Sequence, residues 1–314
     1  MASGLPSRTG STWLTLAEAV PLGHALLDSV AKDLGVRALA IKGPVLALQG
    51  LRDVKESIDI DVLVDPRGFT ALLARMLDLG WVDTEPYDLP TVMPRHSATL
   101  RHATWPCEVD LHHYFPGFLA EPQVVFDELW QNRVQIEMAA RQVNAPSPDC
   151  HALLSALHYL RDRKSEEARE RLTFLINVMR DWPREQLQTL VDIAVATGAD
   201  ATVSPVLDAL QVTRAAPAVR PGLEAWRLRS ETETTAALAW WVALGRAPWW
   251  QKPARLKQAA WPSTQDMNRF LGVALPEGPE LRKARLARLR RGMSQLPRAA
   301  REYHRVKRRH RRRT

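Results

Sequence analysis

The sequence predicts an α+β protein: a small mixed β-sheet flanked by helices, followed by a mostly helical C-terminal region. Two stretches, residues 58–64 and 107–113, alternate apolar and polar side chains with the period of two that marks a strand. Helical spacing precedes and separates them, giving strand-helix-strand and then a hairpin. Beyond residue 148 the apolar positions recur at three and four residues without a strand signal.

The elements follow in order. Residues 13–34 place Leu16, Val20, Leu27, Val30 and Leu34 at helical spacing, closed by Gly35. Residues 36–41 form a short apolar strand that delivers Lys42 and Gly43. A short helix over 45–51 and a charged loop over 52–57 lead to the strand at 58–64. An amphipathic helix over 69–79 stops at Gly80, and a strand follows at Trp81 and Val82. The three prolines of 83–94 mark an exposed loop. Residues 96–103 pair with 107–113 across Thr104-Trp105-Pro106. A helix over 122–130, a strand over 134–138 and a linker at Pro146-Ser147-Pro148 come next. Asp149 caps the first of the later helices, expected from 149 onward and over 166–181, 184–197, 201–210 and 222–244.

The whole chain sets bounds. Its 314 residues, 46% hydrophobic and 25% charged, suit one large or two modest globular domains. Two cysteines support neither a disulfide framework nor a four-cysteine zinc site. The first residues lack the apolar core of a signal peptide, and no run of eighteen apolar residues marks a spanning helix. A cytoplasmic location is the expectation. Residues 282–314 hold 15 Lys or Arg against Glu302 alone, leaving 28 basic and 34 acidic groups elsewhere. The body is therefore mildly acidic and the basicity is a tail, the one candidate for contact with RNA, DNA or anionic lipid. The histidines show no metal-ligand spacing, and His151 and His158, seven apart, read as packed helix residues. Trp240, Trp241, Trp249 and Trp250 read as helix core plus a loop packing back on the body, with a lipid or partner surface as the alternative.

The chemistry concentrates in the two alternating strands. Asp59 and Asp61 lie on one face about 7 Å apart, where like charges repel. A bound cation offsets such a pair, and hard carboxylate oxygens suit magnesium; two solvated aspartates at a strand end are the plain alternative. In the second strand Glu108, Asp110 and His112 share a face. If the strands neighbour each other, Asp110 joins Asp59 and Asp61, and three carboxylates can hold two divalent ions for in-line phosphoryl displacement.

Ile41-Lys42-Gly43, Asp59-Ile60-Asp61-Val62-Leu63-Val64 and Val109-Asp110-Leu111-His112-His113 resemble, in this order, the "LKG", "DIDLLV" and "VDLHW" motifs of the uncharacterised nucleotidyltransferase family of the polymerase-β-like superfamily. The resemblance spans roughly residues 20–215. Lys55 stands where the family often has arginine, with Arg52 a little earlier, and Asn177 replaces an acidic position. The resemblance implies a nucleotidyltransferase-like catalytic domain over 1–145 and a helical domain over 146–275 that carries the acceptor pocket; the charge distribution marks 276–314 as a basic, partly disordered tail. The resemblance also implies transfer of an NMP group from an NTP to a hydroxyl or amine. Asp59, Asp61 and Asp110 would hold two Mg2+ ions. Gly43, which lets the backbone approach phosphates closely, would bind the nucleotide with Lys42, Arg52, Lys55 and His112. The competing expectation is a non-catalytic nucleotide-binding protein that docks on a polyanion through its tail.

Overall fold

Burial in the strand at Asp59–Val64 shows how the molecule is layered. Ile60, Val62 and Val64 are buried on one face, while Asp61 and Leu63 are buried on the other. A strand covered on both faces lies at the centre of a sheet, with helices on each side. The computed structural model describes residues 14–84, 96–231, 244, 247–271 and 275–311.

Helix α1 (Leu16–Asp33) begins with a capping box, in which Thr15 and Glu18 satisfy each other's backbone N–H groups. It leads to β1 (Ala38–Ile41), α2 (Gly43–Leu48), β2 (Asp59–Val64), α3 (Phe69–Asp78), β3 (Val82–Asp83), β4 (Ser97–Arg101) and β5 (Glu108–His112). These strands form one mixed sheet in the order β1-β2-β5-β4-β3. Only β2 and β5 run parallel, and their register pairs Asp59 with Glu108, Asp61 with Asp110 and Leu63 with His112. The adjacency on which the three-carboxylate expectation depended is therefore present.

One face of the sheet packs on α1 and α3 through Leu27, Ile60, Val62, Leu72, Met76, Val109 and Leu111. The other carries Leu39, Ile41 and Leu63 into a larger core with α4 (Pro122–Gln131) and α5 (Pro148–Arg161). That core continues into α6 (Glu166–Arg180), α7 (Arg184–Ala196), α8 (Ser204–Ala209) and α9 (Leu223–Glu231). Each such fully buried aliphatic side chain stabilises the fold by about 1.5–3 kcal/mol. The apolar core thus runs across residue 145, joining strand and helix side chains. Arg37 adds a polar tie, donating to Asp65 at 2.5 Å and Asp127 at 2.6 Å while lying over the Phe126 ring.

Several expectations need correction. The strand expected at 134–138 is half of a hairpin, β6 (Arg133–Met138) with β7 (Arg141–Pro146), and the residues read as a linker end β7 and start α5. Its turn is Ala139-Ala140, both at positive φ (48° and 58°), so the Asn or Gly that usually marks such a turn is missing. The cap of α5 is Ser147, whose hydroxyl accepts from Cys150 N–H, rather than Asp149. Ile58, expected on the apolar face, is 69% exposed just before β2.

The C-terminal part holds α10 (Lys252–Ala260), α11 (Thr264–Leu271) and α12 (Pro279–Arg311). Residues 307–311, within the tail expected to be partly disordered, form the last turn of α12, where cations suit a helix C-terminus. The helix is not free of the body. Leu281 and Ala299 are buried, and Arg285 and Arg288 donate to the carbonyls of Pro262 (3.0 Å) and Ala259 (2.7 Å). Trp249 and Trp250 are 78% and 63% exposed in a single 3-10 turn, so they do not pack back as expected. Trp240 and Trp241, and residues 85–94 of the loop expected at 83–94, lie outside the described residues, while Asp83 ends β3.

The β6–β7 turn yields a stability prediction. Alanine in the left-handed region costs about 1 kcal/mol, which Asn-Gly relieves at both central positions. The double variant Ala139→Asn, Ala140→Gly should raise unfolding stability by about 1 kcal/mol in urea titrations. An unchanged or lower midpoint would mean the turn is not strained.

Candidate active site

The parallel register of β2 and β5 puts Asp59, Asp61, Glu108, Asp110 and His112 on one face. Asp61 is at the centre and only 2% exposed. It accepts from Lys42 Nζ at 2.5 Å and from His112 Nε2 at 3.0 Å on the same oxygen, Oδ1. Burial would raise its pKa, but the Lys42 ammonium and the His112 hydrogen bond outweigh that and hold it well below the usual carboxylate range. Asp110 is fixed by Thr99 of β4, whose hydroxyl donates to Oδ1 at 2.6 Å. Ligand atoms of Asp61, Asp110 and His112 all lie within 4.8 Å of one another, a set able to hold a metal ion.

Asp59 lies two residues before Asp61 on the same face of β2, outside the Asp61–Asp110–His112 set. Burial, then the negative charge of Asp61, push its pKa up to about 6, against the opposing pull of Lys42. The site therefore holds more negative charge than its own cations neutralise. That imbalance, with hard oxygen donors, fits a divalent cation such as magnesium. Burial keeps His112 neutral. With Nε2–H donating to Asp61, its Nδ1 is a buried lone pair with no hydrogen-bond partner.

Lys42 owes its position to an unusual backbone. It sits at φ 56°, ψ −149°, a region that strains any residue with a Cβ, and Gly43 follows at φ 42°. The turn is held by a relay from α5. Lys42 N–H donates to His151 Nε2 at 2.7 Å, His151 Nδ1 shares a 2.7 Å bond with Gln49 Oε1, and Gln49 Nε2 donates to the Pro146 carbonyl at 2.7 Å. Accepting at Nε2 requires the Nδ1–H tautomer, and burial pushes the ring's pKa down to about 3, so it stays neutral. A Cβ on Gly43 would stand 3.2 Å from Ser57 Oγ, which is buried and has no hydrogen-bond partner.

Lys42, Gly43, Asp59, Asp61, Asp110 and His112 are thus gathered at one place. Arg52 lies within reach of the Asp59 charge, whereas Lys55 turns toward α6. Arg52 donates to the carbonyls of Asp53 (3.3 Å) and Lys55 (2.7 Å), bracing the loop before β2, and Lys55 Nζ lies 3.5 Å from Glu167 on α6. Sequence reasoning missed Thr99, Ser57 and His151. Thr99 was in reach, since it lies on the alternating strand expected to pair with Asp110; nothing near His151 signals a bond 109 residues away.

The model of a family described as uncharacterised nucleotidyltransferase matches residues 25–225. None of the curated proteins matches the chain significantly. Among solved structures it is similar to an antigenic nucleotidyltransferase-like protein from Paracoccidioides brasiliensis, with 13% identity and a TM-score of 0.37 over 66% of this chain and 96% of that one. It is also similar to the lincosamide antibiotic adenylyltransferase LnuA in its lincomycin-bound form, with 18% identity and a TM-score of 0.34 over 49% of this chain and 94% of that one.

Two outcomes follow from the geometry. Between about pH 4 and pH 6 the metal-free folded protein keeps a proton on Asp59 that the unfolded chain has released, so this group removes stability as pH rises through that window. After discounting for its partial exposure, Asp59→Asn should gain about 1–2 kcal/mol over wild type at pH 7 and nothing at pH 4. Urea midpoints across that range read the effect, and a gap that does not vary with pH contradicts it. His151→Ala leaves Lys42 N–H and Gln49 without their partner and opens a cavity, and should cost about 3–5 kcal/mol. His151→Gln, which can accept and donate at similar positions, should recover part of that loss in the same denaturation assay.

Proposed function

The chain belongs to the uncharacterised nucleotidyltransferase family, and on that premise we propose that it transfers an NMP group from an NTP to a hydroxyl or amine acceptor by a two-metal mechanism. The observation that carries this is the pairing of Asp61 with Asp110 across parallel strands, with Asp59 beside them. Asp59 and Asp61 would hold the magnesium that accompanies the nucleotide, and Asp61 and Asp110 the one nearest the acceptor. Magnesium bound there supplies positive charge to the reacting phosphate and makes the acceptor proton easier to remove.

The chain's own residues divide the remaining work. Gly43 lets the backbone and Ser57 approach the β- and γ-phosphates, and Lys42 supplies a point charge to them. The acceptor oxygen or nitrogen forms a bond to the α-phosphorus as the bond to the bridging β-phosphate oxygen breaks, and pyrophosphate leaves with that electron pair. The acceptor's proton passes to Asp110, which Thr99 keeps aimed. Neutral His112 fixes Asp61 on one side while Lys42 fixes it on the other. The exposed arginines of α12 add a second feature, a basic face suited to a polyanion. No helix among the described residues is long and apolar enough to cross a membrane. A cytoplasmic setting, where NTPs are abundant, fits the reading.

Asp110→Asn separates a catalytic site from a nucleotide-binding one. It keeps shape while removing charge and basicity, and its role matters mainly in the transition state. Magnesium–NTP affinity should stay within about tenfold, near 1.4 kcal/mol. Turnover should fall by roughly two orders of magnitude or more, the scale of lost general-base help. Pyrophosphate release at the wild-type rate would refute the three-carboxylate mechanism.

A further inference from the structure

We infer that the flank of the site formed by the ends of α5 and α9 is an acceptor subsite built for an anionic group, so that the acceptor carries a phosphate or carboxylate besides the hydroxyl or amine it offers. The word acceptor rests on the transfer reading above; the anion rests on a separate arrangement of cations.

Helices α5 and α9 meet at Leu157 and Trp226, both wedged against Gly117, where a Cβ would stand 2.6 Å and 2.9 Å from them. Glycine is required there by this crowding and by its φ of 110°. One turn beyond this contact stand Arg161, four residues after Leu157, and Arg229, three after Trp226. Both are half-buried. The body's other arginines commonly meet carboxylates, as Arg37, Arg171 and Arg214 do. Among the described residues neither Arg161 nor Arg229 has such a partner. Arg161 Nη2 reaches only His158 Nδ1, at 3.4 Å.

Two half-buried guanidinium groups on one flank, within reach of each other's charge, repel each other and are poorly solvated. Burial and then the Arg229 charge lower the Arg161 pKa, while Asp162 and the site carboxylates Asp61 and Asp110 support its charge. Arg161 therefore lies within electrostatic reach of the reaction centre, and the charges of Arg161 and Arg229 both bear on His96. An anion between them would satisfy both forks, the geometry for which arginine is best suited. The surrounding rings add hydrogen-bonding groups rather than charge. His96 lies 5.9 Å from His112 and 5.9 Å from Tyr114, and burial pushes His96 and His158 down to about 3. His112 Nδ1, buried with no hydrogen-bond partner, belongs to the same wall.

This flank is distinct from the phosphate end of the site. His151, near the start of α5, holds the Lys42–Gly43 turn. Arg161 comes ten residues later, about 15 Å further along the helix axis. His96 and Tyr114 flank the β4–β5 pair, on the Asp110 side of the carboxylates, where the acceptor's proton is taken. The triphosphate and the second anion thus occupy opposite ends of α5.

Calorimetric titration of the NTP-free full chain tests this with glycerol 3-phosphate, glycerate and glycerol as probes. One or both anions should bind at least tenfold more tightly than glycerol, and the tighter of the two identifies phosphate or carboxylate as the preferred group. Arg161→Ala and Arg229→Ala should each weaken that probe at least tenfold. The lysine variants, which keep the charge and control for folding, should recover part of the affinity. Saturating magnesium triphosphate should change it by less than threefold. The inference is overturned if glycerol binds as well as the anions, if the alanine variants bind like wild type, or if triphosphate displaces the probe. A parallel titration with magnesium–ATP keeps the two readings apart: failure to bind it refutes the transfer mechanism while the anion result stands on its own.

Discussion

The structure depends on a single parallel strand pair. Bringing Asp61 next to Asp110 in the middle of a sheet sets a buried carboxylate against a half-buried one, with a third, Asp59, two residues away. Left uncompensated, that arrangement would be strongly destabilising. The protein offsets it unevenly. Asp61 receives both an ammonium and an imidazole N–H, and Asp110 a hydroxyl, whereas Asp59 carries repulsion that the Lys42 charge relieves only in part. The residual charge is therefore gathered at one identifiable carboxylate, at the more open end of the strand.

Compensation of Asp61 requires Lys42 to point inward from a backbone that strongly disfavours any residue with a side chain. The strain persists because a neighbouring layer over-determines it: His151 on α5 accepts the Lys42 N–H, and its own tautomer is set by Gln49. The helical region thus does more than cover the sheet. Its first helix holds the turn on which the site's electrostatics rest, and its core is continuous with Leu39, Ile41 and Leu63 of the sheet. Loosening that helix would disturb the geometry of Lys42 as well as overall stability.

What was legible in the chain follows the range of the forces involved. Period-two alternation in residues 58–64 and 107–113 revealed which carboxylates share a face, because side-chain direction in a strand is a local property. Their adjacency was only conditional until the parallel pairing was seen. The β6–β7 hairpin escaped because two alanines hold a turn that normally shows Asn or Gly. Lys55 was expected near the phosphates because it stands where the family often has arginine, and the loop sets its Nζ 3.5 Å from Glu167. Arg161 and Arg229 carry no signature at all. They become a pair only through the packing of Leu157 and Trp226 on Gly117, contacts between residues far apart in the chain.

The resulting site is electrically two-sided. The sheet contributes the acids, the helices contribute Arg161 and Arg229, which have no carboxylate partner among the described residues, and neutral imidazoles come from both layers. Neutrality of those rings has a consequence. Protonated histidines beside Arg161 and Arg229 would add repulsion to an already crowded group of cations, and their positive charge would compete with any metal for Asp61. Burial prevents this by keeping the rings uncharged at ordinary pH, so they can orient polar groups without shifting the charge balance. Across that pH range the separation of acidic and basic sides is therefore governed by Asp59, whose pKa burial pushes up to about 6.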